Sequence, residues 1–173
     1  MSLSGKRVLI VTADLVEDVE LLYPRERLKE EGAQVTVVSL DGDPVTCKKG
    51  HGPVAMDAAL GDVDGRGFDA LVIPGGFAPD RLRMSEEVLD LVRHFDEQGK
   101  PVAFICHATW VPISAGVLKG RRTTGYVAVR DDVVNAGAEF VDEPTVVDGS
   151  LIAARDPRDL GPWMKALIAA LEG

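Results

Sequence analysis

Four aliphatic runs decide what this chain can fold into: RVLIVTA (7–13), QVTVVSL (34–40), DALVIPGG (69–76) and PVAFIC (101–106). A strand with one wet face alternates polar and apolar residues. Near-continuous Val/Ile/Leu runs instead suit strands covered by helices on both faces. Amphipathic stretches over about 18–31 and 85–98 lie between them, so the rhythm is βαβ and predicts an α/β fold with a mostly parallel sheet. In the first stretch Val19, Leu22 and Leu28 are expected on one side and Arg25, Lys29 and Glu30 on another, with Gly32 as the stop. TVVDGSLIAAR reads as a hairpin centred on Asp-Gly, and a last helix is expected around 157–171, starting near Pro157.

At 173 residues and 46% hydrophobic composition, residues 1–173 are expected to form one domain. No apolar run approaches the roughly eighteen residues that cross a bilayer, and MSLSGKR lacks the apolar core of a secretion signal. A cytoplasmic protein without a membrane partner is the expectation. The terminal MSL and EG add nothing to the neighbouring pattern and are expected to stand outside the fold. Nineteen Lys and Arg against 28 Asp and Glu give a net charge of −9, with the acids dispersed. Nucleic acid is not an expected partner, because binding it needs a clustered basic face; Lys119, Arg121 and Arg122 read as a solvated loop. Two cysteines, Cys47 and Cys106, exclude by count a disulfide scaffold and a Cys-x-x-Cys site.

In open parallel sheets the functional crevice lies beyond the carboxyl ends of the strands, here TADLVEDVE, PGGFAPD and CHATW. Cys106 ends a buried strand just before a helix expected to begin near Ala108 or Thr109. A thiol at such a turn points out of the sheet, and helix N–H groups would lower its pKa. The plain alternative is a small hydrophobe in the core. Phe104, two residues earlier, is bulkier than such turns usually tolerate, and His107, being adjacent in sequence, can point away from the sulfur. Gly75 and Gly76 offer unhindered N–H groups for an oxyanion, or merely a strand-to-loop turn. His94 and His51 read as solvated helix and loop residues, Asp131 and Asp132 as a helix start, and no metal site or cofactor is indicated.

TADLVEDVELLYPRERLKEEG, LVIPGGFAPDRLR and GKPVAFICHATWVPISAGVLKGRR, in this order along the chain, together resemble the ThiJ/PfpI family, in particular its intracellular protease I-like branch. The resemblance covers nearly the whole chain. It implies a flavodoxin-like three-layer sandwich of the class I glutamine amidotransferase superfamily, assembled as dimers and often hexamers. It also implies Cys106 as nucleophile, His107 as its partner, and Asp80 of a neighbouring subunit as the triad acid, where the family usually has Glu. Glu17 matches the carboxyl against the nucleophile. Since an ionised carboxylate would raise the thiol pKa, Glu17 helps only if protonated and donating to sulfur. Read without the resemblance, Glu17 is one of three acids complementing a helix dipole. Tyr126 aligns with a tyrosine near the family's pocket, and the family's CHGP has become CHAT here.

The implied function is that of a cysteine-dependent hydrolase or deglycase of the stress-response kind, acting on small carbonyl compounds, their amine or thiol adducts, or short peptides. A glyoxalase-type conversion of methylglyoxal shares its opening step. The alternative is a non-enzymatic redox sensor or holdase, with Cys106 oxidised to sulfinic acid. His107 next to the sulfur suits turnover better than sensing. An inactive structural relative is the third expectation.

Overall fold

The computed structural model describes residues 2–173. The aliphatic runs become β1 (Arg7–Val11), β2 (Gln34–Ser39), β4 (Ala70–Ile73) and β5 (Val102–Ile105), each shorter than its sequence run because the chain leaves the sheet once it reaches the crevice. A two-residue β3 (Ala58–Ala59) and the hairpin β8 (Thr145–Asp148) and β9 (Leu151–Ala154) complete a seven-stranded sheet in the order β3-β2-β1-β4-β5-β9-β8. Every pairing is parallel except β8 with β9. The Asp148-Gly149 turn has Gly149 at φ 60°, a conformation that costs glycine little. A separate ladder joins β6 (Arg122–Thr123) to β7 (Glu139–Phe140).

The order explains the layers. From β1 the chain winds outward through α1 (Asp18–Glu30) to β2, and from β4 the opposite way through α2 (Ala78–Leu82) and α3 (Glu86–Glu97) to β5. Right-handed crossovers running in opposite directions put α1 and α3 on opposite faces. The short α4 (Trp110–Ala115) packs against α3 and against α5 (Arg130–Asn135), while the C-terminal α6 (Leu160–Glu172) packs against α1 and β9. The last helix begins with a 3₁₀ turn over Pro157–Asp159, capped by Asp156, so its α-helical part starts at Leu160 rather than Pro157. All four residues of β4 and of β5 are buried, as two-sided coverage requires.

Two sequence expectations fail instructively. Leu3 is fully buried and its N–H donates to the Glu31 carbonyl at 2.9 Å, so the N-terminal residues belong to the core they were expected to flank. In α1 the buried set is Asp18, Glu20, Leu21, Pro24 and Leu28, whereas Val19 is 41% exposed. A helix that turns acids inward and a valine outward sacrifices burial energy, and such departures from pattern belong at functional sites. No described helix is long and apolar enough to cross a membrane.

Candidate active site

The direction of winding reverses between β1 and β4, and the loops leaving those two strands are laced together there. Glu17 N–H donates to the Gly75 carbonyl at 3.2 Å, Phe77 N–H to the Leu15 carbonyl at 2.9 Å, and Val16 bridges Gly76. Gly76 has φ 83°, and a Cβ on Gly75 would sit 2.8 Å from Cys106 Cβ and from the Ile105 carbonyl oxygen. Only glycine permits this closeness of the β4 loop to the end of β5.

Cys106 follows β5 directly, with φ 63°. A non-glycine residue in the left-handed region is strained by about 1–3 kcal/mol and persists only where its surroundings enforce it. Here the Cys106 carbonyl accepts hydrogen bonds from Tyr126 N–H (3.2 Å) and from Thr109 Oγ1 (3.1 Å). The expected helix is a 3₁₀ turn over Cys106–Thr109 and then the six-residue α4. The thiol therefore sits at a tight turn with little helix dipole behind it.

His107 does not point away: its Nδ1 lies 3.3 Å from Cys106 Sγ. With Nδ1 as acceptor of the thiol proton, the neutral ring carries its hydrogen on Nε2, a tautomer assigned from this geometry. The ring is stacked on Tyr126 (centroids 4.9 Å, 28°) and meets Trp110 edge-on (5.2 Å, 63°). Burial, then the positive charge of Lys48, holds the imidazole below its ordinary pKa, so it is neutral and able to accept a proton at pH 7. Phe104, bulky as it is, fits completely into the core beneath this turn.

The carboxyl against the sulfur is Glu20, not Glu17. Glu20 is fully buried, faces the Cys106 thiol, and accepts the Gly75 N–H at 2.8 Å through Oε2. Oε1 has no partner in hydrogen-bonding geometry. Burial above all, with the charge of Glu17 adding to it, pushes the Glu20 carboxyl up to about 8, so at neutral pH it holds a proton that the thiol can receive as a hydrogen bond. Glu17 stands at the N-cap of α1, one turn earlier, with Lys49 Nζ at 2.5 Å and Lys48 Nζ at 3.5 Å. Residues 17, 20, 21, 24 and 28 share one helix face, and that spacing was the available sign that Glu20 also turns inward.

Two further expectations are corrected. The Gly75 N–H is taken by Glu20, so the donors aimed at the sulfur are the backbone N–H groups of His107 and Gly76. The thiol pKa is not lowered. Burial first, then the charge Glu20 would carry if ionised, raises the thiol to about 12, against the smaller opposing pull of those two N–H groups and Lys48. Asp80 lies exposed on α2, and its carboxylate has no hydrogen-bond or ion-pair partner among the described residues. Thr109, Trp110 and Lys48 carried no signal of their own in the sequence, since their roles depend on loops meeting.

The likeness to known proteins extends over this whole frame. The family model for the DJ-1/PfpI family matches residues 6–170. The chain is 45% identical over 166 residues to the deglycase PfpI of Pyrococcus furiosus, covering 96% of this chain and 99% of that one. It is 40% identical over 157 residues to the putative cysteine protease YraA of Bacillus subtilis, covering 90% and 92%. The crystal structure of Drosophila melanogaster DJ-1beta superposes with a TM-score of 0.91 at 30% identity, covering 97% of this chain and 91% of that one. With the sheet order, the laced loops and a match over nearly its full length in agreement, the chain belongs to the DJ-1/PfpI family.

Proposed function

We propose that this protein is a cysteine-dependent hydrolase or deglycase that acts on small carbonyl compounds, their adducts with amines or thiols, or short peptides. The observation that carries this reading is the pairing of Cys106, held at φ 63°, with His107 Nδ1 at 3.3 Å. Because burial raises the resting thiol, its proton has to be taken up as the new bond forms. Sγ adds to the carbonyl carbon as its proton passes to His107 Nδ1. The carbonyl π electrons move to oxygen, where the N–H groups of Gly76 and His107 are available as donors. With an amide or thioester, collapse breaks the bond from that carbon to the leaving amine or thiol and His107 returns the proton to it. With a hemiaminal or hemithioacetal the aldehyde is first regenerated as the C–N or C–S bond breaks and the adduct's hydroxyl proton passes to the leaving group. After Sγ has added to the aldehyde carbon, a proton moves from that carbon to the neighbouring ketone carbon through the enediol, which leaves the same acyl-sulfur bond. Water then releases the acyl group from sulfur. Protonated Glu20 is suited to this sequence because an ionised carboxylate would repel the developing anion.

His107 needs an acceptor for its Nε2–H to fix the ring, and Asp80 of a second copy is the group we assign to it. Asp80 is exposed, and so are its neighbours Phe77 (60%) and Met84 (75%), an apolar surrounding that suits burial against another subunit. The assembly is accordingly a homodimer or a larger ring of this chain.

The test is turnover of the methylglyoxal hemithioacetal of N-acetylcysteine and of a fluorogenic peptide, with Cys106→Ser as blank. Turnover that vanishes in the blank supports the reading; identical rates in both proteins, or none in either, end it. Asp80→Asn should lower kcat with sedimentation unchanged, and full activity in a proven monomer removes Asp80 from the site. A second reading has one observation in its favour, since the proton of Glu20 could equally hydrogen-bond a sulfinate on Cys106. Peroxide treatment followed by intact mass separates the two, because a sensor gains two oxygens at Cys106 without showing Cys106-dependent turnover.

A further inference from the structure

Tyr126 belongs to two places at once. Its ring is stacked on His107, and it also lines a cleft of about 480 Å³ whose other walls include Val127, Arg130, Phe140, Arg155 and Arg158. That volume is in the range of sites that hold a small molecule or the end of a peptide. Three guanidiniums line it against two carboxylates, Asp142 and Asp156, in a protein whose net charge is −9.

The three cations are not equivalent. Arg155 is fixed by Asp159 (Nε to Oδ2, 2.7 Å) and by Asp142 (Nη1 to Oδ1, 2.9 Å). Arg158 is fixed by the buried Asp156, through Nε at 2.8 Å and Nη2 at 2.6 Å. These pairs set two guanidiniums against three carboxylates, so neither cation is left over for a ligand. Arg130, the first residue of the helix over Arg130–Asn135, has no ion-pair partner for its guanidinium among the described residues. It stands four residues after Tyr126, joined to it by a 3₁₀ turn over Val127–Val129 in which Val129 N–H donates to the Tyr126 carbonyl at 2.9 Å.

We infer that this cleft is the subsite for the leaving group, and that Arg130 selects amine or thiol components bearing a carboxylate, such as a free amino acid or a peptide C-terminus. The inference rests on the reaction proposed above and names the substrate class that it favours. A carbonyl carbon bonded to Cys106 Sγ has His107 beside it as proton donor. Tyr126, stacked on His107, shares the cleft with the apolar Val127 and Phe140 and with Arg130, the guanidinium there that has no ion-pair partner among the described residues. An ammonium-bearing leaving group would find there only carboxylates already held by arginine.

Two substrates with identical reacting atoms test this: the methylglyoxal hemithioacetals of N-acetylcysteine and of N-acetylcysteine amide, at low ionic strength. The wild-type KM is expected to be about three- to five-fold lower for the acid, the size an exposed ion pair allows. Arg130→Ala should bring the ratio to one, Arg130→Lys should keep part of it, Arg130→Glu should invert it, and added salt should erode it. An acid preference unchanged in Arg130→Ala, or none in the wild type, overturns the subsite. So does a change of sedimentation in Arg130→Glu with the ratio intact, which would assign the cleft to a subunit contact. Should the wild type turn over neither adduct, the reaction has failed and not the cleft. Calorimetric titration of Cys106→Ser with the unreactive S-(2-oxopropyl) derivatives of the same acid and amide then decides the cleft alone, with equal affinities sinking it.

Discussion

Cys106 and Cys47 are both free, both buried, and both have thiols raised above the ordinary range with desolvation as the first cause. By burial alone Cys47, at 1% exposure against 8%, is the more protected of the two. What separates them is what surrounds the sulfur. Around Cys106 stand two backbone N–H donors, an imidazole nitrogen and a carboxyl that holds its proton. Near Cys47 the further influences are the charges of Asp18 and Glu17, which disfavour the thiolate, against Arg25 alone. Asp18 is itself fixed by the backbone N–H groups of Lys49 and His51, so it stays ionised and organises the loop. On the function proposed above, Cys106 is set apart from Cys47 by the proton acceptors and donors within its reach.

Exchanging each sulfur for oxygen should break the symmetry most strongly. Cys106→Ser is expected to lower turnover at least about a thousand-fold, since removing a nucleophile disables the whole catalytic unit. Cys47→Ser should leave turnover within about twofold and cost the fold about 1–2 kcal/mol in urea denaturation, because a hydroxyl replaces sulfur in an apolar setting. If Cys47→Ser were the one to lose turnover, the comparison would be reversed. The next largest effect is expected of Gly75→Ala. The new methyl would fall 2.5 Å from Glu20 Oε2 and 2.8 Å from Cys106 Cβ, pushing carboxyl and nucleophile apart. A loss of about a hundred-fold in kcat is the expected outcome in steady-state kinetics.

Glu20 then offers a pH-resolved version of the same contrast. Its carboxyl ionises near 4.5 in the unfolded chain and at about 8 in the folded one. Between those values the unfolded state binds fewer protons than the folded state, so stability falls as pH rises, at up to about 1.4 kcal/mol per pH unit. Below 4.5 this contribution is constant, and above about 8 the loss is complete. Glu20→Gln should flatten urea midpoints between pH 5 and 7.5 and Glu17→Gln should leave most of the slope. A slope that survives in Glu20→Gln would mean that the buried proton lies elsewhere.

The sheet was legible because burial on both faces writes itself as uninterrupted aliphatic runs, and the hairpin because Asp148-Gly149 meets a local steric demand. Cys106 and His107 were legible as neighbours at a strand end, whereas the contact of Nδ1 with Sγ depends on the turn that follows β5. Glu20 was not separated from Glu17, because both are acids at the start of one helix and the choice depends on how that helix is rotated against the sheet. Rotation is set by Leu21, Pro24 and Leu28 packing inward, a tertiary fact. The direction of the thiol pKa was misread for a related reason. A helix was expected to supply a dipole, whereas the chain makes a 3₁₀ turn first and buries the sulfur, so desolvation outweighs the donors. The short strands β3, β6 and β7, two residues each, have no periodicity long enough to read.

The smallest expected effect concerns how Cys106 keeps a backbone conformation that Cys47 does not need. Thr109 is fully buried, and its hydroxyl oxygen lies 3.1 Å from the Cys106 carbonyl and 3.2 Å from the Thr124 carbonyl. One hydroxyl hydrogen must serve both acceptors, tying the nucleophile's turn to the strand end that leads into Gly125 and Tyr126. Thr109→Val keeps the shape and removes the tie, at about 1 kcal/mol in stability. If the tie positions Cys106 and the His107–Tyr126 stack, kcat should fall about tenfold with KM nearly constant, and Thr109→Ser should restore it. A merely structural hydroxyl would lower the denaturation midpoint equally and leave kcat alone. Equal kcat in the Val and Ser variants would therefore show that the strain at Cys106 is held by the Tyr126 N–H without help from Thr109.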